Sequence, residues 1–152
     1  MDIYEIPDPN TKYKCSNLIK SRGFTLLMKW VMLTNKHPIL HDKIIQHISD
    51  NPNEINKRNR IGWTALMLAC RNSNTDSTEN TVELLLDANA DVNKQNNDGW
   101  TALMLASGYS NTCSTENTVK MLLDAKADVN KQEKDGWTAL MLASRYSKTD
   151  ST

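Results

Sequence analysis

The chain has 152 residues, enough for one buried core but short for two full-sized domains and a linker. Eighteen Lys plus Arg balance eighteen Asp plus Glu, which removes any bulk electrostatic case for nucleic acid or anionic lipid as a partner. Apolar residues make up 39%, and no run approaches the roughly 18 apolar residues of a spanning helix, so no membrane partner is expected.

Residues 1–13 are polar, carry Pro7 and Pro9, and show no periodicity, so they are expected to form a loosely held tail without a secretory signal. Cys15, Cys70 and Cys113 are odd in number and contain no Cys-x-x-Cys pair. Seventeen asparagines include no Asn-x-Ser/Thr site. Both features fit a reducing compartment, cytoplasm or nucleus.

Residues 14–59 outline a unit that becomes regular downstream. Gly23-Phe24-Thr25-Leu26-Leu27-Met28 is echoed by GWTALMLA at Gly62 to Ala69, Gly99 to Ala106 and Gly136 to Ala143, these three copies recurring with a period of 37 residues. Residues 62–98 and 99–135 share 28 identities in 37 without a gap, which fixes the register. The expected organisation is a degenerate capping unit over 14–59, full units over 60–96 and 97–133, and a truncated unit over 134–152 holding its first helix only. Trp30 falls where later units carry Ala69, Ala106 and Ala143, a size tolerable only if no preceding unit presses on it.

Within each unit, Thr64, Thr101 and Thr138 precede uninterrupted helix formers and can cap the free N–H groups of a first helix. Ser77 and Ser114 are the candidate caps of a second helix, with Glu79 and Glu116 suited to its positive end. That helix is expected to fade near Ala88 and Ala125. Asp98-Gly99 and Asp135-Gly136 then give a tight-turn signal, so each unit closes in a hairpin-like finger. Helices of about nine residues are marginal alone. Leu66, Leu68, Val82, Leu85 and Leu86 can be buried only against a neighbouring unit, giving an all-α solenoid.

With GWTALMLA in place of Gly-x-Thr-Pro-Leu-His-x-Ala, and LLLDANADVN in place of the usual Leu-Leu-Leu-x-x-Gly-Ala-Asp-Val-Asn, the chain resembles ankyrin-repeat proteins, most of all those of giant DNA viruses of amoebae. The resemblance implies stacked helix-turn-helix units joined by hairpin-like loops, no enzymatic activity, no cofactor, and a protein partner, a host protein for a viral chain. It also makes Asn93 and Asn130 candidate sites of asparagine hydroxylation. Met67, Met104 and Met141 stand at the family's His, so packing must replace its hydrogen bonds. Asn89 and Lys126 stand at its left-handed Gly, where a Lys Cβ costs roughly 1 kcal/mol. Four extra residues between the helices lengthen the family's 33-residue unit.

Chemistry-bearing motifs do not emerge. His37 and His41 have the spacing of a helical metal pair, but Pro38 lies between them and nothing in the sequence completes a site; with His47 they are read as surface or cap histidines. Cys70 aligns with Ser107 and Ser144, and Cys113 with Asp76, so the repeat requires neither thiol. Asp87/Asp91 and Asp124/Asp128 recur once per unit, which points to loop order rather than acid/base catalysis.

Trp63, Trp100 and Trp137 follow the turn glycines, and the resemblance puts this position toward the concave, partner-binding face. Trp suits an interface anchor. The same spacing fits rings that pack along the fingers and stiffen the stack, and the sequence leaves both readings open. Fingertip pairs that vary between copied units are Asn59-Arg60, Asn96-Asn97 and Glu133-Lys134; Arg71/Gly108/Arg145 and Asn72/Tyr109/Tyr146 vary at the end of the first helix. Of these, Asn59, Arg60, Asn96, Asn97, Glu133, Lys134, Arg71, Tyr109, Arg145 and Tyr146 join the tryptophans as expected partner-binding residues. The third unit stops near its second helix, leaving Leu140 and Leu142 without a following unit. A longer array, a short natural chain and end-to-end self-association each account for that.

Overall fold

The structure, a computed structural model, describes residues 23–110 and 112–147. Their helices are α1 (Leu26–Val31), α2 (Leu40–Asp50), α3 (Ala65–Arg71), α4 (Glu79–Asp87), α5 (Ala102–Gly108), α6 (Glu116–Asp124) and α7 (Ala139–Ser147), with a 3-10 turn at Pro52–Glu54 and no strand among the described residues. The 1–13 tail, Cys15 and the last five residues lie outside this description.

First helices start where the threonines place them. Thr25, Thr64, Thr101 and Thr138 accept from the backbone N–H three residues on, at 3.2, 3.3, 3.2 and 3.4 Å. Each such cap is worth about 1 kcal/mol. The second helices correct the sequence reading. Thr78 and Thr115, rather than Ser77 and Ser114, cap α4 and α6, accepting from Thr81 and Thr118 N–H at 3.2 and 3.1 Å.

The displaced serines are 1% exposed and turn toward the preceding unit. Ser77 Oγ lies 3.3 Å from Thr34 Oγ1, to which the Thr81 hydroxyl donates at 2.8 Å. One unit later Ser114 Oγ lies 3.3 Å from Ser73 Oγ, and Thr118 donates to Ser73 at 2.7 Å. Buried hydroxyls need such partners, and here the partners are supplied across the repeat boundary.

Beyond α4 and α6 the chain reverses through Asn89 (φ 61°) and Lys126 (φ 66°). Ala90 and Ala127 N–H reach back to Leu85 and Leu122 carbonyls at 3.0 Å each, a Schellman closure that requires the left-handed residue. Asp91 and Asp128 then accept from Asn93 and Asn130 N–H at 3.0 and 2.9 Å, so these carboxylates order the loop. Successive loops are joined as well: Asn56 Oδ1 accepts from Asp91 N–H at 2.8 Å, and Asn93 Oδ1 from Asp128 N–H at 2.7 Å.

The first helices stack in the order α1, α3, α5, α7, and α2, α4 and α6 back them. Leu27, Leu66, Leu68, Val82, Leu85, Leu103 and Leu122 form a continuous apolar seam, every one at most 2% exposed. Met67 and Met104 are buried at 1% and fill the space of the absent His. Trp30 is buried too, edge-on to the His47 ring at 5.4 Å. In the third unit Leu140 is 75% and Met141 50% exposed. Leu142, expected to be uncovered with Leu140, is instead 4% exposed, because it faces back into the seam.

Candidate functional site

Three fingers precede α3, α5 and α7, and their geometry follows from one side-chain oxygen each. Asn59 Oδ1 accepts from Ile61 and Trp63 N–H at 3.1 and 2.9 Å, Asn96 Oδ1 from Asp98 and Trp100 at 3.0 and 2.9 Å, and Glu133 Oε1 from Asp135 and Trp137 at 2.9 Å each. The same three residues donate their backbone N–H to the Trp63, Trp100 and Trp137 carbonyls at 2.9, 2.9 and 3.1 Å. Gly62, Gly99 and Gly136 turn each finger at φ 82°, 86° and 85°.

Those bonds correct part of the sequence reading. Asn59, Asn96 and Glu133 are 7, 6 and 8% exposed, so they are turn locks rather than presented specificity residues. The Asn/Asn/Glu variation is silent because each side chain brings an acceptor to the same place.

Neighbouring fingers are tied edge to edge. Asn97 N–H donates to the Ile61 carbonyl at 3.1 Å and Lys134 N–H to the Asp98 carbonyl at 3.0 Å. Asn97 also donates to the Arg60 carbonyl at 3.0 Å and accepts from Arg58 Nη2 at 2.9 Å, and Lys134 Nζ lies 3.3 Å from Asp98 Oδ1. Variation at 97 and 134 therefore acts first on finger pairing, while Arg60, Asn97 and Lys134 remain exposed along the finger edge.

The tryptophans are graded rather than equivalent. Trp63 is 6% exposed, whereas Trp100 and Trp137 are half-buried. Burial removes Trp63 as a freely presented anchor and leaves its ring as a wall. Between the first two fingers and the ends of α3 and α5 lies a groove of about 350 Å³, with Ile61, Trp63, Asn96, Asp98 and Trp100 on the finger side and Arg71, Leu105 and Tyr109 opposite. The Arg71 guanidinium lies over the Tyr109 ring, 4.4 Å from its centroid. Sequence reasoning thus named Trp63, Trp100, Arg71, Tyr109 and Asn96 and missed Ile61, Asp98 and Leu105, which look like ordinary repeat positions. The Asp-Gly turn signal located Asp98 without marking it as groove-facing.

Trp137 and Arg145 belong to a second hollow, of about 470 Å³, with Leu140, Met141 and Ser144. Arg145 lies over the Trp137 ring, 5.2 Å from its centroid. The side chain of Tyr146 lies outside the described residues.

Reactive groups are otherwise engaged structurally. His41 Nδ1 donates to the Pro38 carbonyl at 3.0 Å, and its Nε2 lies 2.9 Å from Thr81 Oγ1 and 3.3 Å from Thr78 Oγ1. His47 Nε2 lies 2.9 Å from Glu54 Oε2, and Lys57 from Glu54 Oε1 at 2.7 Å; hydrogen bonds from Lys57 and then His47 hold this carboxyl below its ordinary pKa. Burial pushes the Cys70 thiol far up, away from nucleophilic chemistry. Among the described residues no three His, Cys, Asp or Glu side chains converge as metal ligands, and no helix is long and apolar enough to cross a membrane.

A family model for ankyrin repeats matches three overlapping stretches, residues 8–95, 36–131 and 77–151. Three ankyrin repeat proteins of Acanthamoeba polyphaga mimivirus are similar to the chain. One is 37% identical over 85 residues, covering 55% of this chain and 10% of that protein. A second is 36% identical over 90 residues, covering 55% and 16%, and a third 42% over 72 residues, covering 45% and 13%. The chain therefore spans between 10% and 16% of the length of these relatives.

Proposed function

The chain belongs to the ankyrin-repeat family, whose members are generally non-enzymatic protein-interaction modules, and on that premise we propose that it is a scaffold that binds a partner protein through its concave face. The groove between the first two fingers carries this reading: it joins the half-buried Trp100 to Tyr109, Leu105 and Arg71 on rigid, mutually braced elements. Such a surface combines apolar area with fixed polar groups, as binding hot spots do. Recognition proceeds without bond chemistry. The viral relatives support a host protein, met in the cytoplasm or nucleus, as the partner. In this reading 14–59 is the cap, 60–96 and 97–133 are the working units, and 134–152 begins another.

The test compares affinity capture by the intact chain with capture by a Trp100→Ala, Trp137→Ala variant whose circular dichroism matches. Trp63 is left intact because its burial makes it a stability residue. A discrete partner retained by the first and lost by the second supports the scaffold; equal capture overturns the concave face as the binding surface.

A second reading is favoured by one observation. Leu140 and Met141 are exposed on α7 although their counterparts in α5 are buried at 2 and 1% under the next unit. An association of copies through this face would cover them. Sedimentation equilibrium decides it: mass that rises with concentration and returns to the monomer in Leu140→Lys supports assembly, and a monomer at all concentrations ends it.

A further inference from the structure

We propose that the groove between the first two fingers recognises a partner segment carrying a large apolar side chain beside a carboxylate, the apolar group lying against Trp100 and Leu105 and the carboxylate on Arg71. This rests on the concave-face reading above and adds its chemistry.

Arg71 is the reason for the acid. Its guanidinium carbon lies over the Tyr109 ring, 4.4 Å from the centroid, a cation–π contact that holds the group at the groove wall. Among the described residues one weak bond uses its donors, from Nη1 to Asn72 Oδ1 at 3.4 Å. Among the described residues no carboxylate stands within ion-pair distance of it, and its charge reaches the buried Asp76 only at longer range. Asp98, the other charge on the groove wall, has Lys134 Nζ 3.3 Å from its Oδ1, so its charge is already matched. The groove therefore offers a positioned cation with unused donors and an acid that already has a lysine partner, and a carboxylate is the group whose geometry fits the guanidinium fork.

Aromatic and aliphatic walls supply the second half of the specificity. Trp63 and Ile61 back the groove, and its volume of about 350 Å³ suits one large side chain. One unit later the position of Arg71 is taken by Gly108, which is buried. The second unit thus copies the tryptophan and omits the cation, which returns only as Arg145 over the Trp137 ring, so the acid-binding property does not extend to every interval of the stack.

Selection of a displayed library of random 12-residue peptides on the full chain tests this, with the enriched peptides synthesised and titrated by fluorescence polarisation. The expected consensus is Leu, Phe or Trp within two residues of Asp or Glu. Changing that acid to its amide, or Arg71→Gln in the chain, each weakens binding about tenfold or more, and the two together weaken it no further. Circular dichroism of the variant guards against unfolding, and Arg71→Lys, which keeps charge without the fork, is expected to lose part of the affinity. Enriched peptides without an acid, additive losses, or no enrichment overturn the proposal. The Trp100→Ala arm separates the two levels: peptides that lack an acid yet need Trp100 leave the concave face standing and remove only the carboxylate, while acidic peptides indifferent to Trp100 and Arg71 remove both.

Discussion

Leu103 and Leu140 occupy the same place in successive copies of one sequence, yet Leu103 is 2% exposed and Leu140 75%. The difference is the neighbour alone: α7 covers α5, and no described residue covers α7 in the same way. Leu103→Ala removes apolar contacts on both sides of the seam and leaves a cavity, which costs about 2 to 5 kcal/mol. Leu140→Ala is expected to change stability by less than about 0.5 kcal/mol. Urea unfolding of the two variants measures the contrast, and equal losses would show that the Leu140 face is covered in solution.

The hydroxyl pairs across repeat boundaries lead to a second expectation. Thr118 donates to Ser73 at 2.7 Å while both are buried. Thr118→Val keeps the shape and removes the shortest of the Ser73 hydroxyl contacts, leaving those to the Cys70 carbonyl and Ser114, at a cost of about 0.5 to 1.5 kcal/mol. Thr112→Val, at an exposed position on the same edge, is expected to be neutral within about 0.5 kcal/mol. Chemical denaturation with circular dichroism distinguishes them. Equal behaviour of the two variants would mean that the boundary is held by the apolar seam alone.

Ser77 and Ser114 also show where sequence reasoning reaches its limit. A Ser-Thr pair ahead of a helix offers two possible caps, and local chemistry favours neither. The choice is made by Thr34 and Ser73, which lie more than 40 positions upstream and take the serine hydroxyls. Thr64, Thr101 and Thr138 were legible because each stands alone before its helix. The fingers followed the same division. Turn position came from the glycines, whereas the locking role of Asn59, Asn96 and Glu133 was hidden by their apparent variability. Its signal is chemical: all three carry a side-chain oxygen at the residue three before the glycine. The grading of Trp63 against Trp100 could not be read from the GWTALMLA that both share, since it depends on which units lie above and below.

Lys126 holds φ 66° with a β-carbon, at a corner where Asn89 manages the same turn at φ 61°. Lys126→Gly removes the clash that disfavours left-handed L residues and is expected to stabilise the chain by about 1 kcal/mol. Asn89→Gly gains less, because Asn tolerates this conformation. Both residues are exposed, so neither change opens a cavity. Urea midpoints at constant slope report the difference, and a loss of stability in Lys126→Gly would show that its side chain contributes more than its backbone costs.

Two carboxylates should give stability profiles of opposite sign in acid. Burial is the largest influence on Asp76 and pushes its carboxyl up, against the opposing charges of Lys36 and Arg71. The folded chain then binds this proton more tightly than the unfolded chain does. Its contribution is most favourable below the ordinary carboxylate pKa and is lost as pH rises through the raised folded value. Asp76→Asn is therefore expected to exceed the parent in stability at neutral pH and to lose that advantage on acidification. Glu54 behaves the other way, because Lys57 and His47 hold its carboxyl below the ordinary value. Its contribution is present above the unfolded pKa and disappears as pH falls through the folded one. Glu54→Gln is expected to be less stable than the parent at neutral pH and to converge with it as the pH of a urea series falls through the lowered folded value. Parallel profiles for the two variants would mean that the buried position of Asp76 is compensated by the charges of Lys36 and Arg71.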